Sequence, residues 1–172
     1  MSFFWFGKKW PGYLTTALFV LFFSCRTSKP GGSKTPISNR NGKKAETVIQ
    51  KAHSLLGTPY RYGGTDKKGL DCSGLTMICY REVGLELPRI AGDQASKGSP
   101  VSLSKAQPGD LVFFDFSKNK SKGIGHVGLI SRISKDGEVF FIHASSSKGV
   151  IESSLNQKYY QEGFVKAVRP LQ

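Results

Sequence analysis

Acidic side chains are scarce in this 172-residue chain: 12 Asp and Glu stand against 25 Lys and Arg, for a formal net charge of +13, and no acid precedes Glu46. Such a surface favours anionic partners, among them acidic polymers, phospholipid head groups and nucleic acid. Its basic residues are dispersed, with no stripe interleaved with aromatics, which argues against nucleic acid. Histidine and cysteine number only three each, and no zinc-type Cys/His spacing, phosphate loop or dinucleotide fingerprint occurs. No metal or organic cofactor is therefore expected. No apolar run is long enough for a comfortable membrane span. With 38% apolar residues, the chain suits one domain with an appendage.

The first 25 residues stand apart. Lys8 and Lys9 precede the short apolar run YLTTALFVLFF, which ends at Ser24-Cys25. A positive segment, a short apolar segment and a small residue describe an export signal; the alternative is a short membrane anchor. The cysteine after the run resembles the lipobox of bacterial lipoproteins, with Phe22 where leucine is usual. Cys25 is then the expected lipidated N-terminus, and the protein is expected in the cell envelope. Residues 26–44 are mostly Ser, Lys, Pro, Gly, Thr and Asn with one isoleucine, a composition that reads as a flexible tether. The globular domain is expected over 45–172.

Within it, Val48, Ile49, Ala52, Leu55 and Leu56 recur at helical spacing until Gly57 and Pro59. A loop rich in glycine and tyrosine follows over 60–70. A second helix is expected from Leu75 to Val83, with Asp71 as N-cap and Gly84 as terminator. A short third helix is expected over 93–97. After Pro108-Gly109 the pattern changes to short runs at 111–116, 126–133, 139–144, 150–153 and 164–169, separated by turn compositions. Helices first and strands afterwards predict an α+β domain, with N-terminal helices packed on an antiparallel sheet of about five strands.

The stretch DCSG places Cys72 where a loop becomes a helix. It is either a small buried hydrophobe or a nucleophile whose thiolate the helix start favours. Cys79 lies in the same predicted helix, nearly two turns along, and the two cannot form a disulfide. A nucleophile needs a base, and there are three candidates. His53 lies inside the first helix and reads as structural. His126 opens the strand GHVGLI, sharing a face with Gly128 and Ile130; Gly125 and Gly128 are expected to leave open space at its ring. His143 ends the strand VFFIHAS. These two histidines are open to three readings: a core pair, half of a metal site, or the base and orienter for Cys72.

The motifs TPYRYGG, DCSGL, ELPR, QPGDLVFF, GHVGLI and FIHAS, in this order, resemble the NlpC family of papain-like cell-wall cysteine peptidases, over roughly residues 48–168. The resemblance implies a papain-like fold and hydrolysis of an amide in peptidoglycan stem peptides, often the γ-D-glutamyl–diamino acid bond. It implies Cys72 as nucleophile, His126 as base and His143 as the residue fixing the imidazole tautomer. Tyr60 would line the site and help bind the oxyanion, Asp71 and Ser73 would hold a substrate's amino end, and Arg89 would contact a carboxylate or brace the site. Ile90 departs from the family's usual Ser or Thr. Simpler roles stay open: Asp71 as helix cap, Ser73 bonding a first-turn amide, Tyr60 and Tyr62 as loop aromatics, Arg89 paired with Glu86 or Glu82. So do two other functions, a wall-binding scaffold without turnover and an amidase or acyltransferase using the same residues.

Overall fold

Val48, Ala52 and Leu55 are buried together, and the helix that carries the first two, α1, spans Ile37–His53. Gly57, at φ 80°, turns the chain away from it in a conformation that side chains resist. Leu56, expected on the apolar stripe, is 43% exposed. The structure is a computed structural model that describes residues 37–171 and Gly7. The export signal, Cys25 and most of the expected tether lie outside the described residues. Residues 37–44 are an exception: read as tether, they form the first turns of α1. They carry no apolar stripe, and the helix leans instead on the Pro108-Gly109 turn, where a Cβ on Gly109 would come within 2.7 Å of the Ala45 Cβ.

The glycine-rich loop contains a small hairpin, β1 (Thr65–Asp66) with β2 (Gly69–Leu70). It leads into α2, Cys72–Arg81, with Asp71 as the expected N-cap. Helix α2 buries Leu75, Thr76, Cys79 and Tyr80, and the Tyr80 hydroxyl donates to the Gly109 carbonyl. Gly84, at φ 74°, ends it, with the Leu85 amide returning to the Tyr80 carbonyl. A four-residue helix, α3 (Ala91–Gln94), follows.

Six strands form one antiparallel sheet in the order β3-β8-β4-β5-β6-β7. They are β3 (Ser99–Val101), β4 (Leu111–Phe114), β5 (His126–Ile133), β6 (Val139–Ser145), β7 (Gly149–Ser154) and β8 (Phe164–Arg169). The expected strands are present with small changes at their ends. Strand β3 is additional; it is short, carries Pro100, and sits at the sheet edge where proline is tolerated. Helix α4 (Lys158–Gly163) is also additional. Alternation along β5 divides the core as expected. Val127 and Leu129 face the cluster built with α1 and α2, whereas Ile130 joins Val112, Phe114, Phe141 and Tyr160 on the other side. Among the described residues no helix is long and apolar enough to cross a membrane.

Candidate active site

Cys72 is the first residue of α2 and is partly exposed. Its placement depends on glycine: a Cβ on Gly74 would lie 2.1 Å from the Gly64 carbonyl oxygen. Only glycine at position 74 lets the first turn of α2 press against the loop. The Asp71 amide donates to that same carbonyl at 3.2 Å, fastening the two together. On the other side, a buried Gln94 donates to the carbonyls of Ser73 (3.0 Å) and Pro88 (2.8 Å) and accepts from the Thr76 hydroxyl (2.7 Å).

Cys72 and His126 line one cavity of about 520 Å³, together with Tyr60 and His143. A second cavity of about 410 Å³ shares Tyr60 and Cys72 and continues to Tyr62, Asp71, Ser73 and Arg89. The thiol thus sits where two stretches of one cleft meet.

His126 Nε2 lies 3.0 Å from His143 Nδ1. His143, only 2% exposed, turns its own Nε2 toward Ser153 Oγ at 3.0 Å and Tyr160 Oη at 3.1 Å. Two tautomer arrangements satisfy both rings; the one that leaves a base has His126 Nε2–H donating to His143 Nδ1, and His143 Nε2–H donating to the Ser153 and Tyr160 oxygens. In that arrangement the nitrogen left to accept a proton is His126 Nδ1. Of the two glycines expected to open space at this ring, Gly125 does so, with nothing within 4 Å of where a Cβ would stand, but Gly128 does not. A Cβ there would meet Phe141 Cδ2 at 2.4 Å; the gap is filled by a core phenylalanine.

Charge at the site departs from expectation. Burial pushes the Cys72 thiol above its usual value, Asp71 adds to that, and the backbone N–H groups of Val127, Ser73 and Cys72 offset it only in part. Burial lowers His126 to about 4, and burial plus His126 lowers His143 to about 3. Burial thus works against the expected standing thiolate, favouring the protonated thiol at Cys72 and the neutral ring at His126. Desolvation outweighs the few amides of a ten-residue helix. Tyr60 is also raised, by burial, then by Cys72 and Asp71, and keeps its hydroxyl proton as a donor.

Asp71 caps α2 through Oδ1, which accepts from the Gly74 amide at 2.7 Å. Its Oδ2 accepts from the Gly63 amide at 2.9 Å, and Arg89 donates to both oxygens. Arg89 also donates to Ser73 Oγ at 2.9 Å. Burial alone would raise the Asp71 carboxyl, but the Arg89 and backbone hydrogen bonds hold it below the usual range. Arg89 therefore pairs with Asp71, while Glu86 meets Arg81 and Glu82 meets Lys51. The structure brings Tyr60, Asp71, Cys72, Ser73, Arg89, His126 and His143 to one cleft. Among the described residues no group of three or more His, Cys, Asp or Glu could hold a metal ion.

The model of the NlpC/P60 family matches residues 57–169. The chain belongs to that family. Over 141 residues it is 41% identical to the probable endopeptidase NlpC of Escherichia coli K12, covering 79% of this chain and 87% of that protein. It is 44% identical over 133 residues to the murein DD-endopeptidase MepS/murein LD-carboxypeptidase of the same organism, covering 77% of this chain and 66% of that one. A solved NlpC/P60 family protein from Bacillus cereus superposes with a TM-score of 0.65 at 33% identity, over 74% of this chain and 40% of the other.

The NlpC/P60 resemblance pointed to the residues at the thiol but not to those behind them. Ser153, Tyr160 and Gln94 orient the site, and no local sequence pattern marks them. Period-two alternation places Ser153 on the same face of β7 as Ile151, which pairs with His143 across the ladder, and that register was legible only once strand pairing was known.

Proposed function

We propose that this NlpC/P60 member is a cysteine peptidase hydrolysing an amide bond in peptidoglycan stem peptides. The observation that carries the reading is the shared cleft, in which a helix-tip thiol opens on the same cavity as a histidine that a second, buried histidine holds from behind. In this reading His126 Nδ1 takes the proton from Cys72 Sγ as the sulfur attacks the amide carbon. The oxyanion is held by the backbone N–H at the start of α2 and by the Tyr60 hydroxyl. The imidazolium then returns its proton to the leaving amine. His126 next removes a proton from water, which cleaves the thioester and frees the thiol. His143, with its low proton affinity, stays neutral throughout and accepts from His126.

The scissile bond in this proposal is the γ-D-glutamyl–diamino acid amide. A second reading, cleavage of the D,D cross-link, is favoured by one observation. Arg89 already occupies both oxygens of Asp71, and its side chain is 39% exposed against 10% for Asp71, so that end of the cleft offers a cation to a stem-peptide carboxylate. The basic surface suits a carboxylate-rich polymer under either reading. Mass spectrometry of muropeptides digested by the full chain identifies the bond. Cys72→Ala should lower turnover on the order of 10⁴-fold with an unchanged melting curve; retained turnover in that variant would end the proposal.

The proposal extends to the envelope. Export through the segment 1–25, lipid attachment at Cys25 and a tether to the domain would let the enzyme reach the wall from a membrane surface. Metabolic labelling with radioactive palmitate should mark the wild type and not Cys25→Ala; an unlabelled wild type would refute the anchor.

A further inference from the structure

The end of the cleft away from Asp71 is built differently. Three rings stack in parallel from the core outwards: Phe114 on Phe116 at 5.4 Å and 9°, then Phe116 on Tyr159 at 4.3 Å and 12°. Phe114 is fully buried, Phe116 is 37% exposed and Tyr159 59% exposed. Phe116 also lies 5.7 Å from the His126 ring, centroid to centroid. The column is fixed from below, since a Cβ on Gly163 would meet Phe116 Cε1 at 2.3 Å.

Beside it stands Asp115, 4% exposed. Its Oδ1 accepts from the Ser117 amide at 2.8 Å and from the Ser117 hydroxyl. The Ser117 hydroxyl, against burial, and then the Ser117, Gly123 and Lys122 amides hold its carboxyl below the usual range; Oδ2 is nonetheless buried and without a donor in hydrogen-bond geometry, alone in this among the side chains of the described residues. Asp115, Phe116 and Tyr159 line the cavity that holds Cys72 and His126, and also the adjoining one of about 310 Å³. Buried polar atoms are almost always paired, so an acceptor left without a well-placed donor just behind a cleft wall suits a donor that arrives with a ligand.

We infer that this wall is a subsite for a pyranose ring of the glycan strand, so that the enzyme reads the sugar to which the stem peptide is attached. The inference rests on the hydrolase reading. A flat aromatic face at the end of a rigid stack suits the apolar C–H face of a sugar ring, and Asp115 Oδ2 suits a hydroxyl or acetamido N–H at its edge. Lys122 on the same cavity wall disfavours a cationic donor, such as the free amine of a diamino acid. A neutral donor on a rigid, partly apolar ring is what both features accept together.

The test uses the full chain and cross-linked muropeptides with and without their disaccharides. Wild type should show a higher kcat/KM on the disaccharide-bearing form. Tyr159→Ala should lower the ratio of the two kcat/KM values about tenfold, Tyr159→Phe should keep it, and Asp115→Asn should lower it by a smaller factor. Equal losses on both substrates would assign the face to peptide and overturn the inference, as would a ratio that Tyr159→Ala does not change. Calorimetric titration of Cys72→Ala with the N-acetylglucosaminyl–N-acetylmuramyl disaccharide gives a readout independent of turnover. Binding that is lost on adding Tyr159→Ala supports the subsite, and no binding overturns it. An enzyme that cleaves neither muropeptide would sink the hydrolase reading, leaving the titration to decide the sugar site.

Discussion

Two aspartates flank the thiol in this cleft, and their surroundings are opposite. Asp71 has both oxygens engaged, by the Gly63 and Gly74 amides, Ser73 and the Arg89 guanidinium. Asp115 has one oxygen engaged by Ser117 and the other without a donor in hydrogen-bond geometry, although the Gly123 and Lys122 amides help to lower its carboxyl. A carboxylate whose partners are all internal holds the protein to itself: here it ties the start of α2, the glycine loop and the segment before α3 into one frame around Cys72. A carboxylate with one oxygen short of a well-placed donor keeps bonding capacity on that side, which the proposed subsite assigns to a ligand. The same residue type thus serves architecture at one end and recognition at the other.

Asp71→Asn gives the sharpest contrast. It removes the charge that Arg89 faces and weakens the cap, and stability should fall by about 2 kcal/mol, less than for a fully buried pair because Arg89 reaches solvent. Chemical denaturation measures it, and Asp115→Asn in the same experiment should shift the midpoint less. A larger loss from Asp115→Asn would reverse the assignment of the two ends.

Acid sharpens the comparison from the middle of the cleft. A base must be neutral to accept a proton, so kcat/KM should fall as pH drops through about 4, the His126 value, and not near the ordinary 6.5. An acid limb near 6.5 would contradict the desolvated ring. Stability follows the same histidines. Both are depressed in the fold relative to the unfolded chain, so the unfolded chain binds more protons below about 6.5, and stability present above that pH erodes as pH falls toward about 3. His143→Gln should flatten the dependence of melting temperature on pH across that window. Asp71 has a lowered pKa and adds its own loss only at the acid extreme.

What the sequence made legible were features written in local pattern. Asp71 precedes an apolar run and caps α2, the alternation of β5 sorts Val127 from Ile130, and the three histidines are few enough to weigh singly. Features made by distant residues were not. Phe116 meets Tyr159 only because β8 lies beside β4, and no spacing forecasts a stack between them. Gly128 suggested empty space because sequence does not show Phe141 reaching across from β6. The first turns of α1 carry no apolar period, being held at Ala45 by the distant Gly109 turn. The protonation of Cys72 depended on how dry its surroundings are, a property of the packed molecule.

The raised thiol has a consequence for the idle enzyme. Oxidants and alkylating agents attack sulfur in its anionic form, and burial opposes that form at Cys72. Under the proposed mechanism Cys72 then waits between encounters with substrate in its less vulnerable form, and the reactivity it needs for an instant is not on offer to every peroxide that diffuses past.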